Sequence, residues 1–306
     1  MAHAWLMVAL CGGCEPAAID AAPPEHLPVN AVVNIQIAQS GPVNALAPVL
    51  RPEYAPHRWA TGGTAVFDAN ALYAEPFGSS DGTACTPTCA VGLPTCPVQP
   101  NVPPERQDIS EGHPGLPMRL MLRIVGPDCQ PLVGATARVW HPSPEGTYGG
   151  PTAYPHMCTG GQRQAETSLA FRGQQRADGR GIVTFDSCFP GRMRGRTVLI
   201  NVTVSKEGMP VLTTQLVFDD ALVADIEASQ PLYRHRGVGF TTHAEDPYLP
   251  DFSHPDMMLS VAQMPDGAML AYKTLVVRQQ VTEPVCHLLA EALRTPLAQN
   301  GNGPAH

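Results

Sequence analysis

The chain has 306 residues, of which 43% are hydrophobic and 15% are charged, and its formal net charge is -8. This acidic balance argues against nucleic acid and against an anionic membrane surface as partners, because both attract clustered lysine and arginine. With 33 prolines and 28 glycines, the composition favours a loop-rich β protein over a helical one. We expect one all-β domain flanked by extensions.

The cysteines and the N-terminus indicate the compartment. Nine cysteines without the two C-x-x-C pairs of a zinc module favour disulfides in an oxidising environment. Residues 1–14 form a candidate signal segment, in which a short apolar run ends at small residues and Cys14, although the usual basic start is missing. We predict export to the periplasm or the extracellular space, with Cys14 as the candidate lipid anchor. A misplaced start codon is the alternative explanation of this segment.

Residues 15–84 are rich in alanine and proline. A proline every few residues removes backbone donors and blocks helix interiors and central strands, which predicts an extended linker. An arm that wraps over the domain is the alternative, because the segment holds more aromatic residues than a free linker requires. These aromatic residues are Trp59, Phe67, Tyr73 and Phe77.

Alternating apolar and polar residues predict the strands of the domain. Met118–Val125 places its apolar side chains on one face and its arginines on the other, as in a half-buried strand. Gly134–Trp140 predicts the next strand. A turn at Asp178-Gly179 then separates an arm with an Arg-Gly pair from a short strand, and a turn at Pro190-Gly191 precedes the longer strand Thr197–Ser205.

The rest of the chain predicts a closing hairpin and one helix. Leu212–Phe218 has the pattern of a strand, and the run from there to Asp256 is irregular. Met257–Val261 and Met269–Val277 predict a hairpin. Glu283–Leu297 has apolar residues at helical spacing, so residues 281–306 are predicted to form a short helix and a tail.

Motifs around these strands resemble those of the intradiol ring-cleavage dioxygenases, the family of protocatechuate 3,4-dioxygenase and catechol 1,2-dioxygenase, in its secreted bacterial type. The resemblance implies a β-sandwich of about eight or more strands over residues 85–280, with a Pro-rich N-terminal extension and a short C-terminal helix. The matching residues are Trp140, Gly146, Tyr148, Arg172-Gly173, Asp178, Gly181, Pro190-Gly191, Gly195-Arg196-Thr197 and Gln215.

The ferric site of that family is only partly present. The resemblance implies a non-haem Fe(III) held by two tyrosinates and two imidazoles, and these positions fall on Tyr148, Met193, Leu199 and Asn201. Fe(III) is a hard ion that anionic oxygen donors stabilise, whereas a thioether, a hydrocarbon and a neutral amide do little for it. We therefore expect no ferric cofactor and no metal at these positions.

The resemblance with these substitutions predicts a non-ferric pseudoenzyme that binds a small aromatic ligand or a protein partner. The remnant pocket is expected at Tyr148, Arg196 and Gln215. The resemblance puts Arg196 beside bound substrate, where its guanidinium would meet an anionic or phenolic group, and pairing with an Asp or Glu is the structural alternative. Two other interpretations stay open: an enzyme acting on phenolic or catecholic compounds with a rebuilt or metal-free site, and a purely structural module. Candidate ligands of a rebuilt metal site are His141, His156 and His254.

Two disulfides are expected. The segment Cys129-Gln130-Pro131-Leu132 is similar to the family's C-x-P-L, which implies a bridge from Cys129 to one of the upstream cysteines. Cys89 is preferred, although spacing does not decide between them. A bridge between Cys158 and Cys188 would tie down the loop after the second strand, and two unrelated buried thiols are the alternative.

Overall fold

The computed structural model describes residues 59–68, 76–78, 85–91, 94–97, 103–234, 241–249 and 254–277. All of them lie within one of the two units into which the chain divides, Leu46–His306. The predicted signal segment, most of the Pro-rich extension and the predicted helix Glu283–Leu297 lie outside the described residues. Within the described part, no helix is long and apolar enough to cross a membrane.

Two four-stranded sheets form the domain, so the predicted all-β fold is confirmed. Their strand orders are β4-β1-β8-β7 and β3-β2-β5-β6. All neighbouring strands are antiparallel except β1 and β8, which are parallel. The strands are β1 (Pro117–Val125), β2 (Thr136–Trp140), β3 (Arg172–Arg176), β4 (Ile182–Cys188), β5 (Leu199–Lys206), β6 (Met209–Val217), β7 (Ser260–Gln263) and β8 (Met269–Val276).

The core lies between the two sheets. Alternate side chains of β1, such as Leu120 and Leu122, point into it and meet Ile200 and Val202 from β5 in the same hydrophobic cluster. This is the period-2 burial that the sequence predicts, because successive side chains of a strand point to opposite faces. On β5, the face opposite the core carries Leu199 and Asn201, and this face positions the candidate site.

Four helices were resolved among the described residues: α1 (Pro155–Cys158), α2 (Arg163–Thr167), α3 (Asp220–Ser229) and α4 (His254–Met257). The expectation of an irregular chain after Phe218 is wrong for α3. Asp219 caps this helix by accepting hydrogen bonds from the backbone N–H groups of Ala221 and Leu222, at 2.9 and 3.2 Å. The helix then buries Leu222 and Ile226, one turn apart, against the core.

The expected bridge from Cys129 to an upstream cysteine is confirmed, but the preferred partner Cys89 is wrong, and so is the expected bridge between Cys158 and Cys188. Cys129 bonds to Cys85, and Cys158 bonds to Cys96. Cys89 is itself disulfide-bonded and is buried in a small apolar cluster with Leu199 and Val217, whereas Cys85 lies next to the turn of Cys129.

Cys188 is a free buried thiol. It lies at the end of β4, where its Sγ contacts the carbonyl oxygen of His113 at 3.4 Å, and burial raises its pKa to about 12. The loop of Cys158 is instead tied to the segment that precedes the first strand. Spacing along the chain gave no means of distinguishing these pairings.

The Pro-Gly turn before β5 is needed for a close backbone contact. A Cβ on Gly191 would lie 2.1 Å from the carbonyl oxygen of Pro144, and the Gly191 N–H donates to the carbonyl oxygen of Ser143 at 3.0 Å. Only glycine allows this approach. The contact fixes the loop Ser143–Thr147 beside β5 and so places Tyr148.

Candidate functional site

The predicted pocket residues Tyr148, Arg196 and Gln215 lie close together around Asn201, where three neighbouring strands meet. Asn201 on β5 lies directly opposite Trp140 on β2 and Gln215 on β6. Directly opposite residues have side chains on the same face of a sheet, and all three are buried. Tyr148, in the loop after β2, approaches from the side, where its backbone N–H donates to the carbonyl oxygen of Cys158 at 2.7 Å.

Asn201 uses its whole side-chain amide in hydrogen bonds. Its Oδ1 accepts from the backbone N–H of Thr95 at 2.8 Å and from Nε2 of Gln215 at 3.1 Å. Its Nδ2 donates to the Tyr148 hydroxyl at 3.2 Å and to the carbonyl oxygen of Trp140 at 3.4 Å. An amide has two donor hydrogens and one acceptor oxygen, so no part of Asn201 is left for another ligand.

Thr95 occupies the centre of this site, although no motif in the sequence indicates it. Its carbonyl oxygen accepts from Nε1 of Trp140 at 2.8 Å. Its hydroxyl accepts from Nε2 of Gln215 at 2.9 Å and from Nη1 of Arg196. We call residues Pro94–Pro97 the plug segment. We call the four side chains that hold Thr95 the cradle; they are Asn201, Gln215, Arg196 and Trp140.

Arg196 is neutralised inside the protein. Its Nε lies 2.9 Å from both carboxylate oxygens of Asp246, and its Nη2 donates to Oε1 of Gln215 at 3.1 Å. Asp246 also accepts from the backbone N–H groups of Thr197 and Tyr248, at 2.9 and 3.0 Å. The ring of Tyr248 lies 5.0 Å from the guanidinium carbon. The geometry therefore matches the structural alternative for Arg196, in which its guanidinium forms a buried ion pair with an aspartate.

Arg172, from the Arg-Gly pair of the central stretch, supports the same region. Its Nη2 donates to the carbonyl oxygen of Cys96 at 3.3 Å, and its Nε donates to the carbonyl oxygen of Gly149. The guanidinium lies 6.0 Å from the ring centre of Tyr148. Burial lowers the pKa of Arg172 to about 10. Arg172 thus connects the plug segment to the loop of Tyr148.

Comparison with solved structures decides what this fold is. An intradiol ring-cleavage dioxygenase from Tetranychus urticae is 23% identical, with a TM-score of 0.56, over 63% of this chain and 95% of that chain. A second solved dioxygenase is 22% identical, with the same TM-score and coverage. The chain has the fold of the intradiol ring-cleavage dioxygenases. No protein-family model and no curated protein matches the sequence.

A third solved structure is the dioxygenase domain of a dioxygenase and carbohydrate-binding protein fusion from Streptomyces sp. SirexAA-E. It is 23% identical over 63% of this chain and 99% of that chain, with a TM-score of 0.45.

The residues at the four positions that the family resemblance assigns to iron ligands do not fit Fe(III). Tyr148 is fully buried, and burial raises its pKa to about 12, against the weaker opposite effect of its hydrogen bond from Asn201. Met193 packs with Tyr148 in an apolar cluster, and Leu199 packs in another one. Tyr148 is the one position of the four with an ionisable donor, and a thioether, a hydrocarbon and an amide whose hydrogen bonds are already used give a ferric ion no anionic donor.

The candidate histidines whose side chains the structure describes, His141 and His156, do not form a replacement site. His141 lies 2.8 Å from the carbonyl oxygen of Pro142 and 2.8 Å from Oγ of Ser187 through its two ring nitrogens, and burial lowers its pKa to about 4. His156 is exposed, and the side chain of His254 lies outside the described part. Among the described residues, no group of three or more His, Cys, Asp or Glu side chains is placed to hold a metal ion.

Proposed function

We propose that this protein is an intradiol-dioxygenase-like pseudoenzyme that works by binding and carries out no ferric chemistry. The observation that carries the proposal is the hydrogen bond from the Thr95 N–H to Asn201 Oδ1 at 2.8 Å. A position that the family resemblance assigns to an iron ligand instead holds the protein's own backbone. A metal and the plug segment could not both use this side chain.

The charge balance of the site supports the same proposal. A ferric catecholate site needs anionic donors and an open position for the substrate. Here three of the four assigned positions hold a thioether, a hydrocarbon and a neutral amide, and the charge of Arg196 is already paired with Asp246. Arg196 therefore has no uncompensated charge to offer a catecholate.

A protein partner is a better fit than a small aromatic ligand while Thr95 is bound, because Thr95 already engages the cradle.

Export remains part of the proposal. The disulfides Cys85–Cys129 and Cys96–Cys158 are of the kind that persists in the periplasm or the extracellular space. The lipid anchor at Cys14 is likewise a proposal.

Metal analysis with a visible spectrum tests the proposal. The protein is produced in iron-supplemented medium, and we expect neither stoichiometric iron nor a tyrosinate-to-iron absorption band, and no oxygen uptake with catechol. One iron per chain together with that band would overturn the proposal. Conversion of a phenol or catechol without iron would favour the alternative of a metal-free enzyme.

A variant that restores the family donors sharpens this test. Met193→Tyr, Leu199→His and Asn201→His together supply the missing ligand types. We expect this variant to bind no iron either, because the plug segment still occupies the centre of the site. The matched control is Asn201→His alone, which isolates the effect of losing the Asn201 amide on folding.

A further inference from the structure

The cradle recognises every hydrogen-bonding group of one threonine. Asn201 accepts from the N–H of Thr95, Trp140 donates to its carbonyl oxygen, and Gln215 and Arg196 donate to its hydroxyl. These are the contacts that a bound threonyl peptide would make. The chain itself supplies this peptide from the plug segment, which belongs to neither a helix nor a strand.

A single covalent bond attaches the plug segment to the loop beyond it. Cys96 follows Thr95 directly and forms a disulfide with Cys158 in α1, across a separation of 62 residues. The Cys96 side chain packs against Trp140, Tyr148 and Met193 in a small cluster. Pro94 and Pro97, at the two ends of the plug segment, are only half-buried, so the apolar burial of the segment is concentrated at Cys96.

The disulfide adds to the contacts that hold the plug segment closed. Each hydrogen bond to Thr95 contributes little in net terms, because water replaces it when the segment leaves. Ordering the residues of the segment costs a comparable amount of conformational entropy. The crosslink acts together with the packing of Cys96 and its hydrogen bond from Arg172, and it keeps Thr95 near the cradle.

We propose that the Cys96–Cys158 disulfide is a redox latch, and that its reduction opens the cradle to a threonine-containing peptide from another chain. This proposal rests on the binding function proposed above and specifies its ligand and regulation. A dithiol reductant would supply the two electrons. One of its thiolates attacks a sulfur of the disulfide to give a mixed disulfide, and its second thiol then displaces the protein sulfur. The products are two cysteine thiols and an oxidised, cyclic reductant.

Hydrogen exchange of the Thr95 amide tests the latch in the full-length protein. In the double variant Cys96→Ala, Cys158→Ala, we expect protection of this amide to fall by at least about 100-fold. The matched control is Cys85→Ala, Cys129→Ala, which removes a disulfide away from the plug segment and leaves this protection unchanged. If the first variant fails to fold, the single variant Cys158→Ser, which removes only the same disulfide, gives the readout. Unchanged protection after loss of the latch would overturn the proposal.

Binding of a small mimic tests the ligand. The probe is N-acetyl-threonine methylamide, and the comparison probe is the valine analogue, which has the same shape without the hydroxyl. We expect saturable binding of the threonine probe to the latch-free protein, at least 10-fold weaker binding of the valine probe, and no binding to the oxidised wild type. Equal binding of both probes, or none, would overturn the ligand assignment. Neither result bears on the absence of ferric chemistry, which the iron measurement tests separately.

Discussion

Replacing Asp246 by Asn should be among the most destabilising single changes in the described part of the chain. The side chain of Asp246 is 0% exposed and that of Arg196 is 8% exposed. Asp246 accepts hydrogen bonds from Arg196 and from two backbone N–H groups. An amide keeps one acceptor oxygen, so the variant leaves the Arg196 charge buried without its counter-ion. Breaking a buried pair in this way costs about 3–5 kcal/mol, a large part of the total stability of a domain.

Guanidinium chloride denaturation, followed by circular dichroism and fluorescence, measures this loss. The matched control is Glu111→Gln, which removes the charge of the Arg106–Glu111 pair, where the side chains are 23% and 36% exposed. We expect that control to lose about 0–1 kcal/mol, because exposed pairs contribute little. A loss below about 1 kcal/mol for Asp246→Asn, with an unchanged denaturant slope, would refute the reasoning that the pair is buried and essential to the fold.

Other predictions concern pH, turn geometry and helix capping. Burial lowers the pKa of His141 from 6.5 to about 4. As the pH falls from 6.5 to about 4, the unfolded chain takes up a proton on His141 before the folded chain does. The free energy of unfolding therefore decreases over this range, by roughly 3 kcal/mol in all. His141→Gln should remove this part of the pH dependence, and an NMR titration of His141 above pH 6 would contradict it. Gly191→Ala should cost about 1–3 kcal/mol or more because its Cβ would meet the Pro144 carbonyl, whereas Gly179→Ala, with open space around it, should be neutral or slightly stabilising in the same denaturation assay. Asp219→Ala should cost about 1 kcal/mol through loss of the α3 cap, and an unchanged melting temperature would argue that packing alone defines this helix.

The strands could be predicted from the sequence because their signal is local. In β1 and β5 the apolar residues alternate along a few consecutive positions, and the structure packs these apolar faces in the core. The proximity of Asn201, Gln215 and Tyr148 could also be predicted, since the family motifs placed these residues on strands and loops that meet. The motifs could not predict which residues fill the site.

The residues that fill the site come from distant parts of the chain. Thr95 is 106 residues from Asn201, and Asp246 is 50 residues from Arg196. The sequence holds 27 acidic residues, and nothing in its local pattern distinguishes the one that pairs with Arg196. The disulfide partners could not be predicted for the same reason, because they also lie far apart in the chain. The helix α3 was missed although its signal is local, because Asp219 is a residue type favoured at helix N-caps and apolar residues follow it at helical spacing.

The position of the last strand has a consequence for how the protein is made. β8 is the final described strand in the chain, yet it lies between β1 and β7 in its sheet and pairs in parallel with β1. Because β1 ends at Val125 and β8 ends at Val276, this contact joins segments that leave the ribosome far apart in time. A nascent chain that has not yet reached β8 exposes one whole edge of β1, and such an edge invites pairing with other chains. The first sheet is therefore completed only after nearly all of the domain has been synthesised, and chaperone protection before that point would act on the edge of β1.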